Sequence, residues 1–157
     1  MTVTIPHLAE LAINNLNLEM VKMKLEDPKE GPGWTREKTC QIETWYKRFL
    51  ILNAKYPESS IVPTRDIDVF WHQHILDTRT YAADCERILG GFLHHFPYLG
   101  MRGSEDAERL RSSFEETKRL FLSEFGEPLP LSASNADCDS SQCNNPPNCQ
   151  SSCGKNG

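Results

Sequence analysis

The chain has 157 residues, enough for one domain with its own core, and a net charge of −5 from 22 acidic and 17 basic side chains. That balance gives no basic surface to draw nucleic acid, and the longest apolar runs fall far short of a membrane span. Met1 to Glu10 lacks the basic start and apolar stretch of a secretory signal, so a soluble, cytoplasmic protein with mostly reduced cysteines is expected.

Leu8, Leu11, Leu18, Val21 and Leu25 share a helical face behind Pro6, which suits a first turn. Asp27-Pro28 and Gly31-Pro32-Gly33 then predict a loop. Thr35 is a natural cap for a second helix, with Ile42, Trp45, Phe49, Leu52 and Tyr56 on its inner face and Pro57 to stop it. The next helix is expected from about Thr64 to Leu89, ended by Gly90-Gly91. We read it as continuous because its stripe keeps one period throughout; a break at the capping pair Asp77-Thr78 is the alternative. Phe92 to Gly103 reads as irregular. Ser104 is the expected cap of a last helix with Ala107, Leu110, Phe114, Phe121 and Phe125 inward and Gly126 at its end. Four or five helices and no convincing strand predict a small all-α bundle over residues 1–126. Residues 127–157, rich in Ser, Asn, Pro and Cys, are expected to form a flexible tail.

The stripe of the third helix is Ile67, Trp71, His74, Thr78, Tyr81, Cys85 and Ile88. Its ends are apolar, but its middle is four polar or metal-binding side chains, which need partners because a buried unpaired group costs roughly 1–3 kcal/mol. His72, His94 and His95 are nearby candidates. Asp68 and His72, four apart, meet on one side of a helix and could chelate one ion, or Asp68 could merely orient His72 at a solvated surface. His72 and His74, two apart, point roughly 200° away from each other, which argues against a shared ion. His74 is either a ligand or a core histidine bonded to a neighbour, with Asp77 the candidate. On an unbroken helix Cys85 lies about 16 Å from His74. Two clusters are therefore expected, Asp68, His72, His74 and Asp77 in one, and Tyr81, Cys85, His94 and His95 in the other, merging only if the helix breaks. Cys85 is either a small apolar residue or a nucleophile paired with His94 or His95.

The tail cysteines Cys138, Cys143, Cys149 and Cys153 contain no Cys-x-x-Cys pair, which disfavours a zinc ribbon. A soft ion, inert thiols, regulatory disulfides or a segment that another protein binds remain open for them.

The run Ile67-Asp68-Val69-Phe70-Trp71-His72-Gln73-His74-Ile75-Leu76-Asp77-Thr78, continued by Tyr81 and Asp84-Cys85 and by Leu93-His94-His95-Phe96-Pro97-Tyr98-Leu99-Gly100, resembles the glycine-rich domain-containing protein-like family. The chain is similar to that family's short bacterial members, over about residues 15–125. The resemblance implies that Asp68, Trp71, His72, His74, Tyr81 and Cys85 occupy the family's characteristic positions; it implies a fold and assigns no reaction. Some plant relatives carry an RNA-recognition domain and a glycine-rich tail; the tail here is rich in cysteine instead, so RNA binding is not carried over.

The expectation is a metal-binding helical domain, and, if an enzyme, a metalloenzyme acting on a small molecule or peptide. Asp68, His72, His74 and one of His94 or His95 would hold a Zn, Fe or Cu ion, with Tyr81 as proton donor. The alternatives are a non-catalytic interaction module with a buried polar network, its tail recruiting a protein partner, and an enzyme that depends on Cys85.

Overall fold

The computed structural model describes residues 5–131, which form six helices and no strand. Residues 132–157 of the expected tail, with its four cysteines, lie outside the described residues, while the start of that tail is packed on the bundle: Leu129 is buried and Glu127 meets Arg48 at 2.9 Å. The helices are α1 (Ile5–Asn14), α2 (Glu19–Glu26), α3 (Arg36–Lys55), α4 (Arg65–Leu76), α5 (Thr78–Leu89) and α6 (Ser104–Phe125). Among the described residues no helix is long and apolar enough to cross a membrane.

The central element is α3, which packs against α1, α2, α4 and α6, while α5 packs against α1 and α4. Neighbours on several sides require a broad apolar surface, and Ile42, Tyr46, Phe49, Leu50, Ile51 and Leu52 are all buried. Thr35 caps α3 as expected, its hydroxyl accepting from the Lys38 amide at 3.2 Å. Gly90 and Gly126 end α5 and α6 in the left-handed conformation, also as expected.

Three expectations need correction. The first predicted helix is two, because the chain leaves the helix at Asn15 to Leu18, where Asn17 takes the Glu19 amide on its side chain at 3.1 Å. Leu8 and Leu11 consequently face outward, at 55% and 48% exposure, and Ile13 and Leu16 take their place beside Leu18, Val21 and Leu25, which are buried as expected. In α6, Ser104 is the first helical residue and its side chain makes no cap bond. The third correction decides the site: α4 and α5 are separate helices, and Asp77 ends one and begins the other.

That break brings together residues ten apart. On a continuous helix such residues would lie about 15 Å from one another. Here Trp71 Nε1 donates to the Tyr81 hydroxyl at 2.9 Å, and His74 Nε2 lies 2.9 Å from an Asp84 carboxylate oxygen. Thr78, predicted inside the stripe, sits at the turn and is exposed, while Ile67, Trp71, His74, Tyr81, Cys85 and Ile88 are all buried.

After Gly90 an irregular segment, residues 90–103, runs back along α4 and is held at its far end by α6. There the Asp106 carboxylate accepts from the amides of Gly100 at 2.7 Å and Arg102 at 3.2 Å. The Arg102 guanidinium beside it lowers the Asp106 pKa from the usual carboxylate value.

Candidate metal centre

Two polar clusters flank α4, one inside the bundle and one at its surface. The inner cluster centres on His74, which is 1% exposed. Asp84 can only accept, so His74 Nε2 carries the proton and donates, and Nδ1 accepts from the Tyr46 hydroxyl at 2.7 Å. Asp84 is in turn met by Arg87 at 2.9 Å, and Arg87 reaches solvent. Burial pushes the His74 pKa down, opposed by the Asp84 carboxylate, and burial pushes Tyr46 well up. The neutral imidazole is thus satisfied at both nitrogens and ties α3, α4 and α5 together. Asp77, the partner suggested by sequence, does not fill this role; Asp84 does, reached through the break. Tyr46, four residues from Ile42 and so on the same face of α3, is the buried aromatic there, while Trp45 is only partly buried.

The outer cluster joins the other side of α4 to the returning segment. Asp68 and His72 stand one turn apart, and His95 comes over them. His95 Nε2 lies 2.8 Å from Asp68 Oδ1 and 2.8 Å from His72 Nε2, and His72 Nε2 lies 3.3 Å from Asp68 Oδ2. Side-chain exposure is 17% for His95, 33% for Asp68 and 52% for His72, so the cluster is seated on the protein but open on one side.

Proton placement in this triangle is frustrated. With Asp68 ionised, a single proton on one of the two facing nitrogens leaves the other nitrogen's lone pair against a carboxylate oxygen. Protons on both nitrogens put two donors 2.8 Å apart. A cation at the centre would be met by three lone pairs once both facing nitrogens are unprotonated, their protons residing on Nδ1. The size also fits: metal bonds of about 2.0–2.2 Å in a tetrahedral site set ligand atoms roughly 3.3–3.5 Å apart, so the triangle needs to open by only about half an ångström.

The remaining candidates lie elsewhere. His74 faces the core, on the far side of α4 from His72, as the 200° offset requires. His94 is exposed with its ring against Phe92 at 4.8 Å, outside the triangle. Tyr81 is 1% exposed, and its hydroxyl donates to the Leu93 carbonyl at 2.5 Å while accepting from Trp71. Burial and its neighbour Cys85 push the Tyr81 pKa up. Cys85 is a free thiol, 1% exposed, beside Tyr81. The two clusters predicted from spacing have therefore exchanged members, His95 joining Asp68 and His72.

Fold and site together define a small all-α domain that presents two histidines and one carboxylate on a surface formed by a helix and the segment crossing it. The chain belongs to the UCP032817-like family, whose profile matches residues 12–119 and so covers both clusters. Among curated relatives it is similar to glycine-rich domain-containing protein 1 of Arabidopsis thaliana, 33% identical over 85 residues, and to glycine-rich domain-containing protein 2 of the same plant, 34% identical over 85 residues. Each match covers 52% of this chain and 10% of the relative, so the chain spans about a tenth of the length of these relatives. No solved structure matches.

Proposed function

We propose that this domain binds one transition-metal ion through Asp68, His72 and His95. The observation that carries the reading is the convergence of two Nε2 atoms and a carboxylate in one small, partly open triangle. Three protein ligands leave one or more positions for water or substrate, the arrangement a catalytic metal needs. Two imidazoles and one carboxylate suit zinc and iron, and copper is also compatible with the nitrogen donors. A metal bound there would act as a Lewis acid on whatever occupies the open position, and the half-exposed His72 edge is where a substrate would approach.

Elemental analysis of the full chain with Cys138, Cys143, Cys149 and Cys153 changed to Ser tests this without interference from tail thiols. One ion per chain is expected, lost in His72→Ala and His95→Ala and retained in His94→Ala. A metal content far below one after reconstitution with zinc, ferrous iron and copper in turn removes the proposal.

The interaction-module reading draws on a separate observation. The segment that carries His95 also exposes Phe92, Phe96, Tyr98 and Met101, a density of large apolar side chains suited to a protein surface. Under that reading His72→Ala abolishes no ion binding because there is none.

A further inference from the structure

The metal cluster draws one of its three members from an irregular segment, and irregular chain does not hold an imbidazole in place unaided. Two bonds and a ring contact supply the missing rigidity. The Tyr81 hydroxyl donates to the Leu93 carbonyl, two residues before His95, at 2.5 Å. The same hydroxyl accepts from Trp71 Nε1 at 2.9 Å, and the Trp71 ring lies 4.4 Å from the His95 ring, tilted by 43°. Trp71 itself stands on α4 between Asp68 and His72. The helix that bears two of the cluster's members thus also supplies the wall against which the third is set.

We propose that Tyr81 and Trp71 are positioning residues for His95. Tyr81 anchors the backbone of the returning segment, and Trp71 fixes the plane of the imidazole, so that Nε2 points at the Asp68–His72 pair. Neither side chain supplies a ligand atom to the triangle. Tyr81 is buried with its only hydroxyl proton directed at Leu93, which gives it this role in place of that of a proton donor. The assignment rests on the metal reading for its functional meaning, but the geometry it asserts exists without an ion.

The test pairs two conservative variants. Tyr81→Phe removes the hydroxyl between Trp71 and Leu93, and Tyr46→Phe removes an equally buried hydroxyl that serves His74 instead. In the metal-free full chain, the His95 ring protons should show an upfield ring-current shift from Trp71. That shift should shrink in Tyr81→Phe and persist in Tyr46→Phe. Zinc affinity should fall about tenfold or more in Tyr81→Phe, the usual effect of removing a group that orients a ligand, and stay within about twofold in Tyr46→Phe. Trp71→Phe, which keeps a ring beside His95 but loses the indole donor, should move both readouts in the same direction. Unchanged His95 shifts in Tyr81→Phe overturn the assignment, as does an affinity loss shared equally by Tyr46→Phe, which would mark a general loss of stability. If the parent chain binds no ion while the His95 shift still moves in Tyr81→Phe, the positioning stands and the metal reading falls.

Discussion

Tyr46→Phe isolates the energetic value of the inner cluster. The phenol oxygen is the only part of Tyr46 that the substitution removes. The ring stays packed against Phe70 at 5.0 Å and Phe49 at 6.3 Å between centroids. His74 then keeps its bond to Asp84 and loses the one to Nδ1, which is an acceptor because Nε2 carries the proton. A buried acceptor left without a donor costs about 1–3 kcal/mol. Both residues are 0–1% exposed, so water has no ready route to take the place of the hydroxyl. We therefore expect urea unfolding to show a midpoint lowered by an amount worth about 1–3 kcal/mol with an unchanged denaturant slope. A loss below about 0.5 kcal/mol, the range of neutral surface changes, would refute the claim that this bond holds the interior together.

The same histidine predicts an acid limb in stability. Burial lowers its folded pKa below the ordinary value of 6.5, so the native state binds fewer protons than the unfolded chain below that pH. The contribution is complete above about pH 6.5 and is lost as pH falls through the folded pKa, and His74→Gln should flatten that part of a urea midpoint series between pH 8 and 5. Equal slopes in the two proteins would contradict it. Adjacent glycines offer a backbone test. Gly90 has φ +71°, so Gly90→Ala should cost roughly 1–2 kcal/mol by chemical denaturation. Gly91 has an ordinary φ and open space around it, and Gly91→Ala should stay within about 0.5 kcal/mol; equal losses would argue against a left-handed end to α5.

Much of the architecture is legible in the sequence, because period and caps are local signals. Thr35, Gly90 and Gly126 mark helix ends through their own side chains or lack of one. Helix breaks were harder. The stripe from Ile67 to Ile88 keeps its phase across Asp77, and a period reports which face is inward without reporting that the axis has changed direction. The polar asparagines at 14, 15 and 17 are the sequence sign that α1 stops before α2 begins. At the site, the pairing of Asp68 with His72 follows from one turn of helix, and the separation of His72 from His74 from half a turn. The arrival of His95 and the Asp84–His74 bond depend on the reversal at Asp77, which the capping pair Asp77-Thr78 signals only as an alternative to an unbroken helix, because the unbroken period points the other way.

Twelve residues of α4 serve as an axle shared by a wet side and a dry one. A slip of one residue along that axle would turn it by about 100°, swinging His72 toward the interior and pulling His74 away from Tyr46 in the same motion. The dry side therefore keys the wet side: the whole packed face of α4, Ile67, Phe70 and Trp71 with His74, sets the angle at which the outer histidine meets its neighbours, and no single bond within it does so alone. Drift in the surface chemistry of this domain is constrained from beneath, and changes at the rim that leave the keel untouched are the ones such a scaffold can absorb.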